Sequence, residues 1–137
     1  MFQFLDHPSE SLIQVNAATM EEVFVDAARA LFELMTDISQ LKNEEQFRVM
    51  LESTEKHFLM IDWLNHLIYL HEVQHIFLCS FSVKIEHQQT WALHAEVGGE
   101  KIRENHERRL HAKSATYGQF EWKETEVGHE VRFVIDI

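Results

Sequence analysis

Cysteine, proline, glycine and positive charge are all scarce in this sequence, and each shortage excludes something. The chain holds one cysteine, Cys79. No internal disulfide can form, which suits a reducing compartment. Cys79 lies in an apolar run and reads as a buried, inert thiol. One proline and four glycines among 137 residues leave no material for a linker. No repeat or low-complexity stretch interrupts the chain, so one domain over residues 1–137 is expected. Lysine and arginine number 12 against 23 acids, a formal net charge of −11. That balance argues against nonspecific nucleic-acid binding, which rests on basic surface neutralising phosphates. It fits solubility, a basic partner or a hard cation. No apolar run is long enough to span a membrane. The opening MFQFLDHPSE has no basic n-region and meets an acid at Asp6, so no signal peptide is read and the cytoplasm is the expected location. A glycine-rich phosphate loop, a G-x-S-x-G elbow and a paired C-x-x-C are all missing.

What is present is a core. Composition is 45% hydrophobic and 26% charged, and a chain of this length buries roughly two thirds of its unfolded surface. The stretch Phe58–Gln74, FLMIDWLNHLIYLHEVQ, places Met60, Trp63, Leu64, Leu67 and Ile68 at helical spacing. Phe58, Leu59, Ile61 and Leu70 widen that face until the helix is apolar nearly all round. It reads as a central helix capped by Ser53 or Thr54, with Glu55 in its first turn. A second helix is signposted from Met20 to Met35. Thr19 and Glu22 form a capping box before it. Val23, Phe24, Ala27, Ala28, Leu31, Leu34 and Met35 mark its face.

Period-two alternation predicts strands around these helices. Short strands are expected at Ser11–Asn16 and Phe47–Leu51. Ile76–Glu86 and Trp91–Val97 form a hairpin turning at Gln88-Gln89, and Gly98-Gly99 breaks the run. Gly99–Arg109 is charged, aperiodic and loop-like. Leu110–Tyr117, Gln119–Glu124 and Glu130–Ile137 are three further strand-like runs. Two main helices covering a mainly antiparallel sheet make an α+β domain.

Three constellations carry chemistry. His71-Glu72-Val73-Gln74-His75 is H-E-x-x-H, which on a helix presents two zinc-binding histidines and a general base. A catalytic zinc needs a third ligand, for which His87, His94 and His106 are loose candidates. The competing reading is a solvated helix end, and it has preference because the motif sits where the helix stops. Second, Asp6, His7 and Glu10 cluster near the start, while Asp136 and the Ile137 carboxylate end the chain. A terminal strand reaching the opening loop would gather Glu10, Asp136 and Ile137 as oxygen ligands for calcium or magnesium. Acids at termini are usually just solvated. Third, Lys113 lies in HAKSATY. Regular alternation puts it on one strand face with His111, Ala115 and Tyr117, either as an exposed strand residue or as a cation placed beside the carboxylates.

Several segments in order then resemble the archease family. FLDHPSESLIQV is similar to its N-terminal motif, in which an aromatic residue and an acid precede H-T-A-D. ALFELMTD resembles A-L-F-x-x-M-x-D, and IDWLNHLIYL resembles D-W-L-N-E-L-L-x-L. NHERRLHAKSATYG resembles H-x-x-x-x-E-V-K-A-x-T-Y-H, and Asp136-Ile137 resembles the closing D-I. The resemblance implies a small α+β accessory protein rather than an enzyme, with a chaperone-like role. It implies activation of the GTP-dependent RNA-splicing ligase of tRNA splicing and repair, with RNA met only through that ligase and no membrane. It implies a divalent cation, commonly calcium, at Glu10, Asp136 and Ile137, and a functional lysine at Lys113. H-T-A-D is His7-Pro8-Ser9-Glu10 here, and three departures from the family pattern bear on function. Glu10 stands for an aspartate, His111 for the glutamate before Lys113, and Gly118 for a histidine. A zinc-dependent hydrolase using His71, Glu72 and His75 is the alternative, and an interaction module that has lost the ancestral site is a third reading.

Overall fold

A computed structural model describes residues 1–5 and 10–137. Its elements run β1 (Phe2–Leu5), β2 (Glu10–Ala17), α1 (Met20–Met35), β3 (Glu45–Ser53), α2 (Lys56–Gln74), β4 (Ile76–His87), β5 (Trp91–Lys101), β6 (Ser114–Thr125) and β7 (Gly128–Asp136), with a 3-10 turn at Ile38–Gln40. The strands form two sheets, ordered β1-β2-β7-β6 and β3-β5-β4. The strand pairings among the described residues are antiparallel. The α+β class is as the pattern predicts. The division into two sheets is not, because strand partnership is set by pairings distant in sequence.

The helices are where the periodicity puts them, and their caps explain their ends. The Thr19 hydroxyl accepts from the Glu22 N–H at 3.2 Å, closing the first turn of α1. The seven residues expected on its inner face are all buried. Helix α2 starts differently from expectation. β3 extends through Ser53, which pairs with Trp91 in the ladder, so Ser53 is not available as a cap. Glu55 is itself the N-cap and makes no side-chain cap bond. The breadth of the apolar face of α2 is explained by its surroundings: it packs against α1 and against strands of both sheets. Trp63 is fully buried and donates its indole N–H to the Phe24 carbonyl at 2.9 Å, tying the two helices together.

The β4–β5 hairpin forms as expected, with His87 opposite Trp91 and their rings stacked 3.7 Å apart. Gly98-Gly99 does not break it. β5 continues to Lys101, and the pairing shifts register across the hairpin between Leu78 and Ser80, at Cys79. A Cβ on Gly99 would lie 1.9 Å from the Phe77 carbonyl oxygen. The glycine is there for close strand approach rather than to end the strand. Cys79 is only half-buried, and burial, with the Glu100 carboxylate, pushes its thiol up.

The two runs expected at Leu110–Tyr117 and Gln119–Glu124 are one strand, β6, beginning later and interrupted by a bulge. Thr116 faces Val134, and the next regular pair is Glu121 with Arg132. Residues 117–120 stand against Phe133 alone, and Gln119 takes φ 60. Leu110–Lys113 are not strand because their backbone groups are committed elsewhere. Arg109 and Leu110 donate their N–H groups to the Met35 and Leu34 carbonyls at 3.0 and 3.1 Å. Helix α1 has no basic residue in its last turn. The Arg109 guanidinium supplies that charge from outside, reaching the Glu33 carbonyl at 2.8 Å and its carboxylate at 2.7 Å. The charged run expected as a loop is therefore a strap across the end of α1.

Candidate functional site

The central strands of the four-stranded sheet bring the two ends of the chain together. Along β2 and β7, Glu10 stands directly opposite Asp136. Directly opposed residues project to the same face with Cβ atoms roughly 5 Å apart. Ser114 of β6 is opposite Asp136 on its other side, so Glu10, Asp136 and Ser114 form a row across three strands. This face is the one away from the main core. Ile13, Val15, Val131, Phe133 and Ile135 point into the core instead and are fully buried. Ile137 packs its side chain against that core, which holds the last residue beside the row. Glu10, Asp136 and Ile137 are half-buried. Asp6 and His7, the other acids and imidazole expected here, lie outside the described residues.

Lys113 joins the cluster through its backbone. Its N–H donates to the Asp136 carbonyl at 2.7 Å, the shortest of the loop contacts that end the strap. The side chain is exposed, whereas Ala112 and Ala115 on either side are buried. The expected shared face of His111, Lys113, Ala115 and Tyr117 does not form, because regular alternation begins only at Ser114. His111 is exposed and lies 4.0 Å from the Glu72 carboxylate.

The strap that delivers Lys113 is pinned by a buried pair that the sequence did not single out. His106 Nε2 donates to the Glu100 carboxylate, with both side chains buried. The donor assignment follows from the other ring nitrogen: Nδ1 accepts from the Arg103 N–H at 2.8 Å, so the proton must sit on Nε2. The Lys42 N–H adds a bond to Glu100 at 3.1 Å. The His106 bond, assisted by that amide and by Arg103, holds the Glu100 carboxyl below the usual carboxylate range. In the sequence Glu100 is one acid of a charged, aperiodic run and His106 one loose zinc candidate, with nothing local to pair them.

The H-E-x-x-H residues do not form a metal-binding group among the described residues. His71 sits in the last turn of α2 and donates from Nδ1 to the Ile76 carbonyl at 2.8 Å. It stacks on Phe77 with ring centres 5.3 Å apart, and burial lowers its pKa. His75 is one residue beyond the helix, exposed, in the left-handed conformation at φ 52 and ψ 55. That turn carries it off the helical face that His71 occupies. Of the loose third-ligand candidates, His87 is stacked on Trp91, His94 faces outward on β5, and His106 is the partner of Glu100. Among the described residues, no three His, Cys, Asp or Glu side chains gather into a metal-binding group. The expected cation set differs in kind, with two opposed side-chain carboxylates and a main-chain one. That all-oxygen, triply anionic set fits a hard divalent ion and would not suit a soft one.

A sequence profile of the archease protein family (MTH1598/TM1083) matches residues 2–137. The chain belongs to the archease family. It is 33% identical to protein archease of Methanothermobacter thermautotrophicus, over 99% of this chain and 98% of that one. It is 32% identical to protein archease of Methanosarcina mazei, covering 99% and 95%. The solution structure of Methanobacterium thermoautotrophicum protein 1598 superposes with a TM-score of 0.87 at 32% identity, covering 99% and 98%. The crystal structure of an archease from Thermotoga maritima, described as a possible chaperone, shares the fold with a TM-score of 0.67 at 15% identity, covering 97% and 94%.

Two of the departures from the archease pattern now have surroundings. A Cβ at Gly118 would meet only Thr116 Oγ1, at 3.9 Å, so nothing steric requires glycine in the bulge. His111 faces Glu72, an acid supplied by α2, in the place where the family pattern has a glutamate of its own. No helix among the described residues is long and apolar enough to cross a membrane.

Proposed function

We propose that this archease is a non-catalytic accessory protein that activates the GTP-dependent RNA-splicing ligase, promoting its guanylylation and turnover, and that works in the cytoplasm. Family membership supports an accessory role, and the description of the Thermotoga relative as a possible chaperone is in keeping with one. The single observation that carries the reading is the meeting of Glu10, Asp136 and Lys113 at one end of one sheet. Glu10, Asp136 and the Ile137 carboxylate would hold a divalent cation, calcium being the first candidate. When bound, the cation would supply a concentrated positive charge beside the exposed Lys113. The chain's own part is to oppose the two side-chain carboxylates across one strand pair and to fix the lysine backbone to the same strand end. Glu10, one methylene longer than aspartate, reaches the same ion because calcium accepts a flexible set of oxygen ligands.

The test is a ligation assay with purified cognate ligase, GTP and metal. The wild-type chain is expected to raise turnover and guanylylation. Asp136→Ala, Glu10→Ala and Lys113→Ala are each expected to lose most of that stimulation. A wild-type chain that leaves the ligase unchanged overturns the reading. Elemental analysis separates the hydrolase alternative. Stoichiometric zinc that disappears in His71→Ala would favour the hydrolase, and calcium released by Asp136→Ala would favour the proposal.

A further inference from the structure

Asn65 lies midway along α2, a helix held rigidly by its fully buried neighbours Trp63, Leu64 and Leu67. Its side-chain amide meets the backbone of one residue twice. Nδ2 donates to the Ala115 carbonyl at 3.1 Å, and Oδ1 accepts from the Ala115 N–H at 2.8 Å. Among the described residues β6 is the outer strand of its sheet, with no strand beside this edge. The primary amide carries one donor and one acceptor side by side, as a peptide unit does. Asn65 therefore occupies the place of the missing strand at a single residue. A leucine of similar size would leave both backbone groups unpaired, and an aspartate could not donate.

The residue so clamped is next to the candidate site. Ser114 faces Asp136, and the Lys113 N–H is bonded to the Asp136 carbonyl at 2.7 Å. Upstream, the strap is bonded to the end of α1 through Arg109 and Leu110, and downstream the bulge at residues 117–120 interrupts the ladder of β6. Ala115 is the point between them that is tied to a buried helix. We propose that Asn65 is a positioning residue, which fixes Lys113 against Asp136 and the terminal carboxylate by clamping Ala115. The proposal rests on the reading of that cluster as the working site.

Three measurements on the full chain test it, with Trp63→Phe as a control that loosens the core by removing the indole bond to the Phe24 carbonyl while leaving Asn65 in place. In Asn65→Ala, amide exchange at Lys113 and Ala115 is expected to rise at least tenfold, and stimulation of the ligase to fall at least tenfold. Trp63→Phe, with an equal or larger drop in melting temperature, is expected to keep its stimulation. Unchanged exchange at Lys113 and Ala115 overturns the proposal. So does raised exchange with stimulation no lower than in Trp63→Phe, since Asn65 would then be merely structural. Should the wild-type chain fail to stimulate, the accessory reading falls by itself. Calcium titration then decides the clamp: at least fivefold weaker binding in Asn65→Ala supports it, and equal binding overturns it. Should Asn65→Ala not fold, Asn65→Asp carries the same readouts. It keeps the acceptor for the Ala115 N–H and loses the donor.

Discussion

Glu100 and His106 show what a single buried pair does to pH dependence. The Glu100 carboxyl is held below its ordinary range chiefly by the His106 bond. A depressed carboxylate contributes stability that is present above the unfolded value, about 4.3, and is lost as pH falls through the lower folded value. Wild-type stability, measured by urea unfolding, is therefore expected to decline as pH drops below about 4. Glu100→Gln should be less stable at pH 7, by about 1–3 kcal/mol for a buried group left poorly paired, and flatter in acid. Gly118→His makes the opposite kind of prediction. With only one atom near its Cβ, it should change stability by no more than about 0.5 kcal/mol, as an ordinary surface substitution does. Thermal unfolding checks both. At this scale the sequence was a poor guide to role. H-E-x-x-H spells a zinc motif in letters, yet the helix ends before His75, and no reading of letters shows the left-handed turn.

Among the elements, those whose signals are local were legible. The Thr19 capping box and the 3.6 period placed α1 at Met20–Met35, because both ends of those signals lie within one turn of each other. What failed depended on a distant partner. Gly98-Gly99 reads as a break in any local window, and only the Phe77 carbonyl beside it explains why the strand runs on. Gly99→Ala is expected to destabilise by about 1–3 kcal/mol, the usual cost of overfilling a packed site, seen as a lower melting temperature with the same far-ultraviolet spectrum. The strap was read as a plain loop because it has no period of its own. Its order comes from the Leu34 and Met35 carbonyls, which any helix end leaves unpaired. Arg109→Ala should lower the melting temperature by stripping the charged donor from Glu33. It should also raise amide exchange in the last turn of α1 more than elsewhere.

At the scale of the whole molecule, class was legible and arrangement was not. Alternating runs and two strong helices give α+β without naming neighbours. The split into two sheets hangs on pairings such as β2 with β7, between residues 10–17 and 129–136. The candidate site was legible in the same partial way. Acids at both ends suggested an oxygen site only if the ends met, and the ordered resemblance to archeases is what singled out Glu10, Asp136 and Lys113. Now that the ends do meet, their opposition can be tested as a unit. On the proposed reading, combining Glu10→Ala with Asp136→Ala is expected to weaken calcium binding little beyond either single change, since residues that would serve one ion do not act additively. Isothermal titration measures it.

The pairing of β2 with β7 has a further consequence for biosynthesis. β2 ends at Ala17 and its central partner begins only at Gly128, so β2 leaves the ribosome well before β7 exists. Through that interval its flank is open, and such unpaired edges are where nascent polypeptides clump. The cluster at Glu10 and Asp136 is completed only with the last strand, so a stalled or shortened translation product would carry every helix and still lack it.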